Sequence, residues 1–284
     1  MPDIGQTVDQ QVYAALKTRA VVARPPTATG VLELTGDDAA EFLQGQVTND
    51  IQALAAGKGA YAALLSPKGQ MRADMRVLNT GVSLLLLAEA NLMPVIRKTI
   101  DTFRVGYRFK TDDRGDRLEL ISLAGPRAHE LLAAALGDTA VPGAAENDNA
   151  AAGDGLLAIT TLLGVDLLGP RDALAPAERA LIEAGAEPAG AAALELARIE
   201  RGVPRYGAEI GDQTIPEEAG LNDRAVSFTK GCYVGQETVA RLHYKGKPNR
   251  RLRGLALAGV VVPGTPVTAA DGRELGNIGS VAVS

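Results

Sequence analysis

Cysteine, basic targeting signals and long apolar stretches are scarce in this sequence. Its 284 residues include one cysteine, Cys232, so no disulfide can form within the chain and a reducing compartment is expected. No run approaches the roughly 20 apolar residues that a membrane-spanning helix needs. Residues 1–11 contain Asp3 and Asp9 but no basic cluster, which argues against a secretory signal or a transit peptide. We therefore predict a cytoplasmic protein without a membrane partner.

An excess of positive charge and a supply of aromatic residues are also missing. The formal net charge is −5, whereas a dedicated nucleic-acid-binding protein is usually basic overall. With four Phe, six Tyr and no Trp, the core must be built from aliphatic side chains. The composition, 46% hydrophobic and 22% charged, is typical of a globular protein, and the length suits about two domains at roughly 150 residues each.

Local patterns predict both hairpins and helices. Apolar alternation predicts strands over 30–35, 60–65 and 72–78, the last two joined by a tight turn at Ser66–Gly69. Helical patterns occur at 7–20, 91–102, 176–184 and 191–201. The stretch 142–155 has the composition of an exposed loop. Because there is no regular alternation of strand and helix, we predict an α+β fold.

One segment carries a distinctive chemical pattern, the octapeptide Lys230-Gly231-Cys232-Tyr233-Val234-Gly235-Gln236-Glu237. Its glycines permit unusual backbone angles and close approach of a ligand or partner. Nearby cations lower the pKa of a cysteine, so Lys230, Arg241 and His243 favour a reactive thiol. The alternative is an inert, buried cysteine, since free cysteine commonly behaves as a small hydrophobic residue. The local pattern leaves both readings open.

The octapeptide resembles the K-G-C-Y-x-G-Q-E signature of the YgfZ family, relatives of the glycine cleavage T-protein. Four further segments resemble the same family: 36–50, 66–78, 121–132 and 198–220. The resemblance implies a multi-domain α+β ring around a site for tetrahydrofolate or a derivative. It further implies three regions: an N-terminal folate-binding region over 1–120, a second α+β region over 121–245 that carries the Cys232 loop, and a small C-terminal β-barrel over 246–284, incomplete in this chain.

The resemblance also implies a function. Family members act as accessory proteins in the assembly or repair of iron–sulfur proteins, so iron–sulfur proteins or their assembly factors are the implied partners. Because a conventional cluster generally needs four protein ligands, a single cysteine argues against a stable metal cofactor. Cys232 would act through its loop, whose other candidate residues are Lys230, Gly231, Tyr233, Gly235, Gln236 and Glu237.

Asp74 is the second candidate for a catalytic role. It resembles one of two acids that the T-protein carries in the hairpin for folate-dependent transfer. The second acid is absent from Gly69–Asp74. The Thr-Gly-Glu motif with which the T-protein helps to bind folate is absent near residues 160–169. An aminomethyltransferase-like enzyme is therefore the alternative function, and a thiol-redox module without folate is a third. Asp74 could instead belong to a surface ion-pair cluster, since Arg72 and Arg76 share its face of the strand. The candidate folate contacts are Asp74, Arg198, Glu200, Arg241 and Asn49.

A basic tract follows the octapeptide. Residues 241–253 contain six Lys and Arg, and no Asp or Glu occurs between Glu237 and Asp271. The tract could hold folate carboxylates, steer an anionic partner such as tRNA, or be a solvated linker. We favour the linker for most of these cations and a binding role for Arg241. RNA has little support from the sequence, because only Tyr244 is available for base stacking.

Overall fold

The computed structural model describes residues 8–259 and 261–283. The strands in these residues are β1 (Val21–Ala23), β2 (Thr29–Thr35), β3 (Lys58–Leu65), β4 (Met71–Asn79), β5 (Leu84–Glu89), β6 (Lys110–Asp113), β7 (Glu119–Ala124), β8 (Asn149–Ala151), β9 (Leu157–Thr160), β10 (Gly164–Gly169), β11 (Glu187–Pro188), β12 (Pro266–Thr268) and β13 (Glu274–Asn277). The helices are α1 (Gln10–Thr18), α2 (Ala39–Gln46), α3 (Met93–Phe103), α4 (Ala128–Leu136), α5 (Arg171–Glu183), α6 (Ala191–Glu200), α7 (Asn222–Ala225) and α8 (Gln236–Lys245).

Two sheets form the body of the molecule. The first has five antiparallel strands in the order β3-β4-β5-β2-β6. The second has six strands in the order β11-β1-β7-β10-β9-β8, antiparallel except for the β1–β11 pair. The predicted α+β class is confirmed, and the β3–β4 hairpin turns at Ser66–Gly69 as the sequence predicts.

The alternation of side chains along β4 divides the core. Ala73, Met75 and Val77 point to one face, where they pack with residues of α2 and α3. Leu78 lies on the opposite face and joins a cluster between the sheets, to which β7 and β10 contribute Leu120 and Leu168. Polar residues on that second face of β4 therefore lie beside the interface between the two sheets.

The segment 142–155 was predicted to be an exposed loop, and this prediction is confirmed for residues 143–145 and 153–155 but is wrong for the middle of the segment. Asn147, Asp148 and Asn149 are buried, and β8 begins within this segment. Most of the buried polar groups have partners: Lys58 Nζ donates to Asp148 Oδ2 at 2.9 Å, and the backbone N–H of Asn147 donates to the carbonyl of Thr160 at 2.8 Å. Asn147 Oδ1 is buried without a partner among the described residues. The segment is part of the second sheet's packing.

The C-terminal part after α8 contains a two-stranded sheet, β12 paired with β13. No closed barrel is found among the residues that the structure describes, so the implied barrel stays a prediction. In the same residues, no helix is long and apolar enough to cross a membrane. Polar contacts between this part and the body include hydrogen bonds from Arg198 Nη2 to Ser280 Oγ at 2.7 Å and from the Ser280 N–H to Glu209 Oε1 at 3.0 Å.

Candidate functional site

A cavity of about 300 Å³ opens beside the interface between the two sheets. Its walls come from the polar face of β4, from β5, β7 and β10, and from α6 with the segment that follows it. Its volume is at the lower end of the range for small-molecule sites. The apolar part of the wall includes Leu87, Leu120, Leu123 and Leu194, and a set of carboxyl and guanidinium groups faces it.

Asp74 and Tyr61 form the polar centre of this pocket. They lie on adjacent strands, where Tyr61 is paired with Arg76 and Ala63 with Asp74, so Tyr61 and Asp74 are diagonal neighbours. The Tyr61 hydroxyl donates to Asp74 Oδ2 at 2.5 Å. Burial raises the pKa of Asp74 and, more strongly, the pKa of Tyr61. Asp74 therefore retains its proton at a higher pH than an ordinary aspartate, which suits a group that exchanges a proton with a ligand.

A second carboxylate joins the two sheets at the pocket wall. Arg76 Nη1 on β4 donates to Asp166 Oδ2 on β10 at 2.6 Å, and Ser122 Oγ on β7 donates to Asp166 Oδ1 at 2.6 Å. Both partners of the ion pair are largely shielded from solvent, with 20% and 11% of their side-chain surface exposed. Because both oxygens of Asp166 accept a hydrogen bond, this carboxylate is suited to holding the two sheets together and less suited to proton transfer.

The wall near Tyr61 is built by Arg224 of α7. Its guanidinium donates twice to Glu146, at 2.6 and 3.1 Å, and lies 4.8 Å from the centre of the Tyr61 ring. Asn49 supports the same wall, since its Nδ2 donates to the carbonyls of Tyr61 and Arg224 at 2.9 and 3.0 Å. Asn49 thus positions two pocket residues and is not itself a lining residue.

Arg205 presents a hydrogen-bond donor without a partner. Its Nη2 lies 3.5 Å from Glu195 and its Nη1 lies 3.9 Å from Glu89. Its Nε–H is buried and has no partner among the described residues. Burial also raises the pKa of Glu89. Arg205 lines the pocket, and its terminal nitrogens, which are no closer than 3.5 Å to these carboxylates, are the donors that an acceptor on a ligand would meet.

Two predicted folate contacts on α6 have other partners. Arg198 lines the pocket, but its guanidinium donates to Glu195 at 2.6 and 2.9 Å, to Glu209 at 3.0 Å and to the Val203 carbonyl at 2.6 Å. Glu200 is exposed, is not a lining residue and accepts from Lys17 at 2.7 Å. The structure thus brings Arg198 together with Asp74 in one pocket and leaves Glu200 outside it.

Residues 230–235 of the octapeptide lie in the loop between α7 and α8, and its last two residues begin α8. Cys232 and Gly231 are exposed, and neither is a lining residue of the pocket. Tyr233 is buried against the end of the β3–β4 hairpin, in a cluster that includes Leu65 and Met71. The loop therefore has one buried aromatic anchor directly beside an exposed thiol.

Lys230 is a second buried anchor. Its Nζ donates to the carbonyls of Gln44, Val47 and Asn49 at 2.5, 2.7 and 3.0 Å. These carbonyls lie at the C-terminal end of α2, where helix carbonyls lack partners within the helix and attract a cation. Burial lowers the pKa of Lys230 to about 8. The ammonium group of Lys230 thus donates all three of its hydrogen bonds to carbonyls at and just after the end of α2.

Gly235 is the third anchor of the loop. It adopts a left-handed backbone conformation with φ of +84° immediately before α8. A Cβ at this position would lie 2.5 Å from the Ser66 carbonyl oxygen and 3.1 Å from Gly69 Cα, so the loop packs directly on the hairpin turn. Gln236 begins α8, Glu237 is exposed in its first turn, and Arg241 is exposed one turn later, outside the pocket lining.

Comparison with known proteins identifies the fold. The crystal structure of the glycine cleavage system aminomethyltransferase T from Bartonella henselae matches 95% of this chain and 76% of its own, with a TM-score of 0.77 and 20% identity. The family model described as the GCVT N-terminal domain matches residues 20–230. The tRNA-modifying protein YgfZ of Yersinia pestis is 32% identical over 241 residues, which are 80% of this chain and 68% of that protein. The chain belongs to the YgfZ/T-protein-like family.

A second relative shows how broad this YgfZ/T-protein-like family is. The aminomethyltransferase of Thermus thermophilus is also 32% identical, over 208 residues that cover 70% of this chain and 59% of that protein. The resemblance inferred from the octapeptide and the four further segments is therefore confirmed. Among the described residues, no group of three or more His, Cys, Asp or Glu side chains could hold a metal ion.

Sequence reasoning missed several polar groups of the pocket in this YgfZ/T-protein-like chain. Tyr61 could have been found, because the tight turn at Ser66–Gly69 fixes the register that brings it beside Asp74. No local signal identifies Asp166, Arg205 or Arg224, because they reach the pocket only when distant segments pack together.

Proposed function

We propose that the pocket binds tetrahydrofolate or a derivative, and that the chain is an accessory protein for the assembly or repair of iron–sulfur proteins. The observation that carries the first part is that a buried carboxyl group and a guanidinium group with long ion pairs line one cavity. Asp74 provides the carboxyl group and Arg205 provides the guanidinium group. Family membership supports the choice of folate.

The residues present fit such a ligand. A reduced pterin is a flat ring system edged with N–H donors and with nitrogen and carbonyl acceptors. The leucine walls of the pocket suit its faces, the Asp74 carboxyl group suits its donor edge, and Arg205 suits a carbonyl or carboxylate oxygen. Tetrahydrofolate, when bound, supplies nitrogen atoms that carry one-carbon units. In the protein, Asp74 would hold or accept a proton near those nitrogens while Tyr61 orients its carboxyl group.

The second part of the proposal rests on the loop around Cys232. The thiol is exposed, and its neighbours in the octapeptide are fixed by Lys230, Tyr233 and Gly235. A firmly held, exposed thiol is suited to a partner protein and not to a stable cluster of its own. The relatives named tRNA-modifying protein are consistent with a client pathway that modifies tRNA.

Complementation tests the role of the thiol. A strain that lacks the gene would be supplied with the wild-type chain, with Cys232→Ala, or with Thr229→Ala as the matched control, at an exposed position three residues before the thiol and outside the octapeptide. We expect Cys232→Ala to leave iron–sulfur enzyme activity at the level of the deletion strain, although the protein folds normally. We expect Thr229→Ala to restore that activity, because Thr229 is exposed and its hydroxyl makes a long contact, 3.4 Å, with Ser227 Oγ. Full restoration by Cys232→Ala would show that the thiol is not required.

An aminomethyltransferase-like activity is the second candidate. It is favoured by the identity to the Thermus thermophilus aminomethyltransferase and by the Asp74 carboxyl group in the pocket. Methylene transfer from an aminomethyl-lipoyl carrier to tetrahydrofolate would be measured with the wild-type chain and with Asp74→Asn. Transfer that depends on Asp74 would favour this enzyme class, and folate binding without transfer would favour the accessory role.

A further inference from the structure

The basic tract after the Cys232 loop is exposed and has no acidic partner in the described part of the chain. Its cations are Arg241, Lys245, Lys247, Arg250, Arg251 and Arg253. All six are exposed, and no ion pair forms between any of them and an acidic group of the described residues. Exposed arginines elsewhere differ among themselves: Arg117 and Arg171 pair with carboxylates, whereas Arg179 and Arg201 are in no ion pair with the described residues, so the tract is distinguished by the clustering of its six cations. A segment with six unpaired cations in a chain of net charge −5 points to an anionic partner.

Three aromatic rings lie beside these cations. Phe228 stacks on His243 with ring centres 3.8 Å apart and planes inclined by 16°. Tyr244 meets the His243 ring edge-on at 4.8 Å and the Phe228 ring at 6.1 Å. Tyr244 is 66% exposed and His243 is also exposed, so this aromatic cluster of Phe228, His243 and Tyr244 offers ring surface to solvent. Tyr244 is thus not the isolated aromatic residue that the sequence suggested.

Cations without counter-ions beside exposed rings are the combination that binds single-stranded nucleic acid. The cations follow the phosphates, and the rings stack on unpaired bases. Residues 246–258 form neither helix nor strand, so their cations can follow a backbone that is itself irregular. A site for an acidic protein would use the cations but has no need of exposed stacking surfaces. The observations therefore favour RNA over an acidic polypeptide.

We infer that α8 and residues 246–253, together with the aromatic cluster, form a binding surface for an unpaired RNA segment. Phe228 precedes Cys232 by four residues and α8 begins four residues after it, so the bound RNA would lie next to the thiol loop. This surface is separate from the pocket, because none of its residues is a lining residue. The inference holds whether or not the pocket binds folate.

Fluorescence anisotropy with the full chain tests this surface. The probes are a labelled unstructured 12-nucleotide RNA, a duplex of the same length and polyglutamate as an acidic polypeptide. We expect the single strand to bind more tightly than the duplex, with an affinity that falls steeply as salt increases. Tyr244→Ala should weaken binding of the single strand by about fivefold or more, because stacking on one base contributes about that much.

Charge variants provide the matched control. Arg250→Ala/Arg251→Ala should weaken RNA binding and reduce the salt slope by about 1.4, at roughly 0.7 per phosphate contact on single strands. Arg179→Ala/Arg201→Ala removes the same charge from exposed positions on and after other helices and should leave both quantities unchanged. Three results would overturn the inference: no RNA binding at low salt, equal losses in both double variants, or polyglutamate binding as tightly as RNA with no effect of Tyr244→Ala on either.

Discussion

Replacing Lys230 with methionine removes a buried ammonium group while keeping most of the side-chain volume. In the wild-type chain this group donates to the carbonyls of Gln44, Val47 and Asn49 at 2.5–3.0 Å. The contacts join the beginning of the Cys232 loop to the end of α2, across 181–186 residues of chain. The variant therefore tests whether the lysine of the octapeptide holds the loop in place.

The magnitude follows from the three carbonyls. A hydrogen bond to a charged group contributes about 1.5–3 kcal/mol, and a buried acceptor without a donor costs about 1–3 kcal/mol. Val47 is fully buried, whereas water can reach Gln44 and Asn49, which are partly exposed. The cost of burying the ammonium group, which lowers the pKa of Lys230 to about 8, offsets part of the gain. We expect a loss of about 2–3 kcal/mol in the free energy of unfolding.

Thermal unfolding and hydrogen exchange measure this effect. At about 2–4 °C per kcal/mol, the melting temperature of Lys230→Met should fall by roughly 4–12 °C. Amide exchange should become faster in residues 227–235 and in the last turn of α2, because both lose a shared anchor. Lys98→Met, at an exposed position on α3, is the control and should change the free energy by less than about 0.5 kcal/mol. Equal melting temperatures for the two variants would refute the anchoring role.

Three further predictions concern the loop and the pocket. Gly235→Ala should destabilise the protein by about 1–3 kcal/mol in denaturant unfolding, since it forces a side chain into a left-handed conformation against the Ser66 carbonyl, and a stability equal to that of Gly231→Ala would contradict this packing. A double-mutant cycle on Arg224→Ala and Glu146→Ala should give a coupling energy of about 0.5–3 kcal/mol, and a value near zero would mean that their bidentate ion pair does not hold the pocket wall. Because the folded-state pKa of Asp74 is raised, the folded protein binds more protons than the unfolded chain as the pH rises above about 4, so its stability falls across that window. Asp74→Asn should therefore gain stability relative to the wild type as the pH rises above about 4, and parallel pH profiles of the two melting temperatures would contradict the raised pKa.

The alternation of buried and less buried side chains along β4 is a feature that the sequence predicts correctly. It predicts that Asp74 and Arg76 share one face, and the structure has them on one face. The pattern does not predict which part of the chain packs against that face of β4. Leu78 packs against Leu120 and Leu168 of another sheet, and this long-range contact turns the polar part of β4 into a pocket wall.

Polar composition misled the prediction for residues 142–155. Such residues are expected in solvent unless partners satisfy them, and the partners here are distant in sequence. Asp148 pairs with Lys58, and Glu146 pairs with Arg224. In the octapeptide, likewise, the sequence identified a thiol between glycines. It could not assign Lys230 to the end of α2, because that contact exists only after the two halves of the chain have folded together.

Calorimetric titration of the purified chain with tetrahydrofolate is the most direct test of the central claim, that the pocket between the sheets is a folate site. The account predicts saturable one-to-one binding by the wild-type chain and by Asp116→Ala, which alters an exposed aspartate away from the pocket. It predicts binding at least about tenfold weaker for Asp74→Ala, since one hydrogen bond to a charged group contributes about 1.5–3 kcal/mol. No measurable binding by the wild-type chain, or equal affinities for all three proteins, would contradict the account.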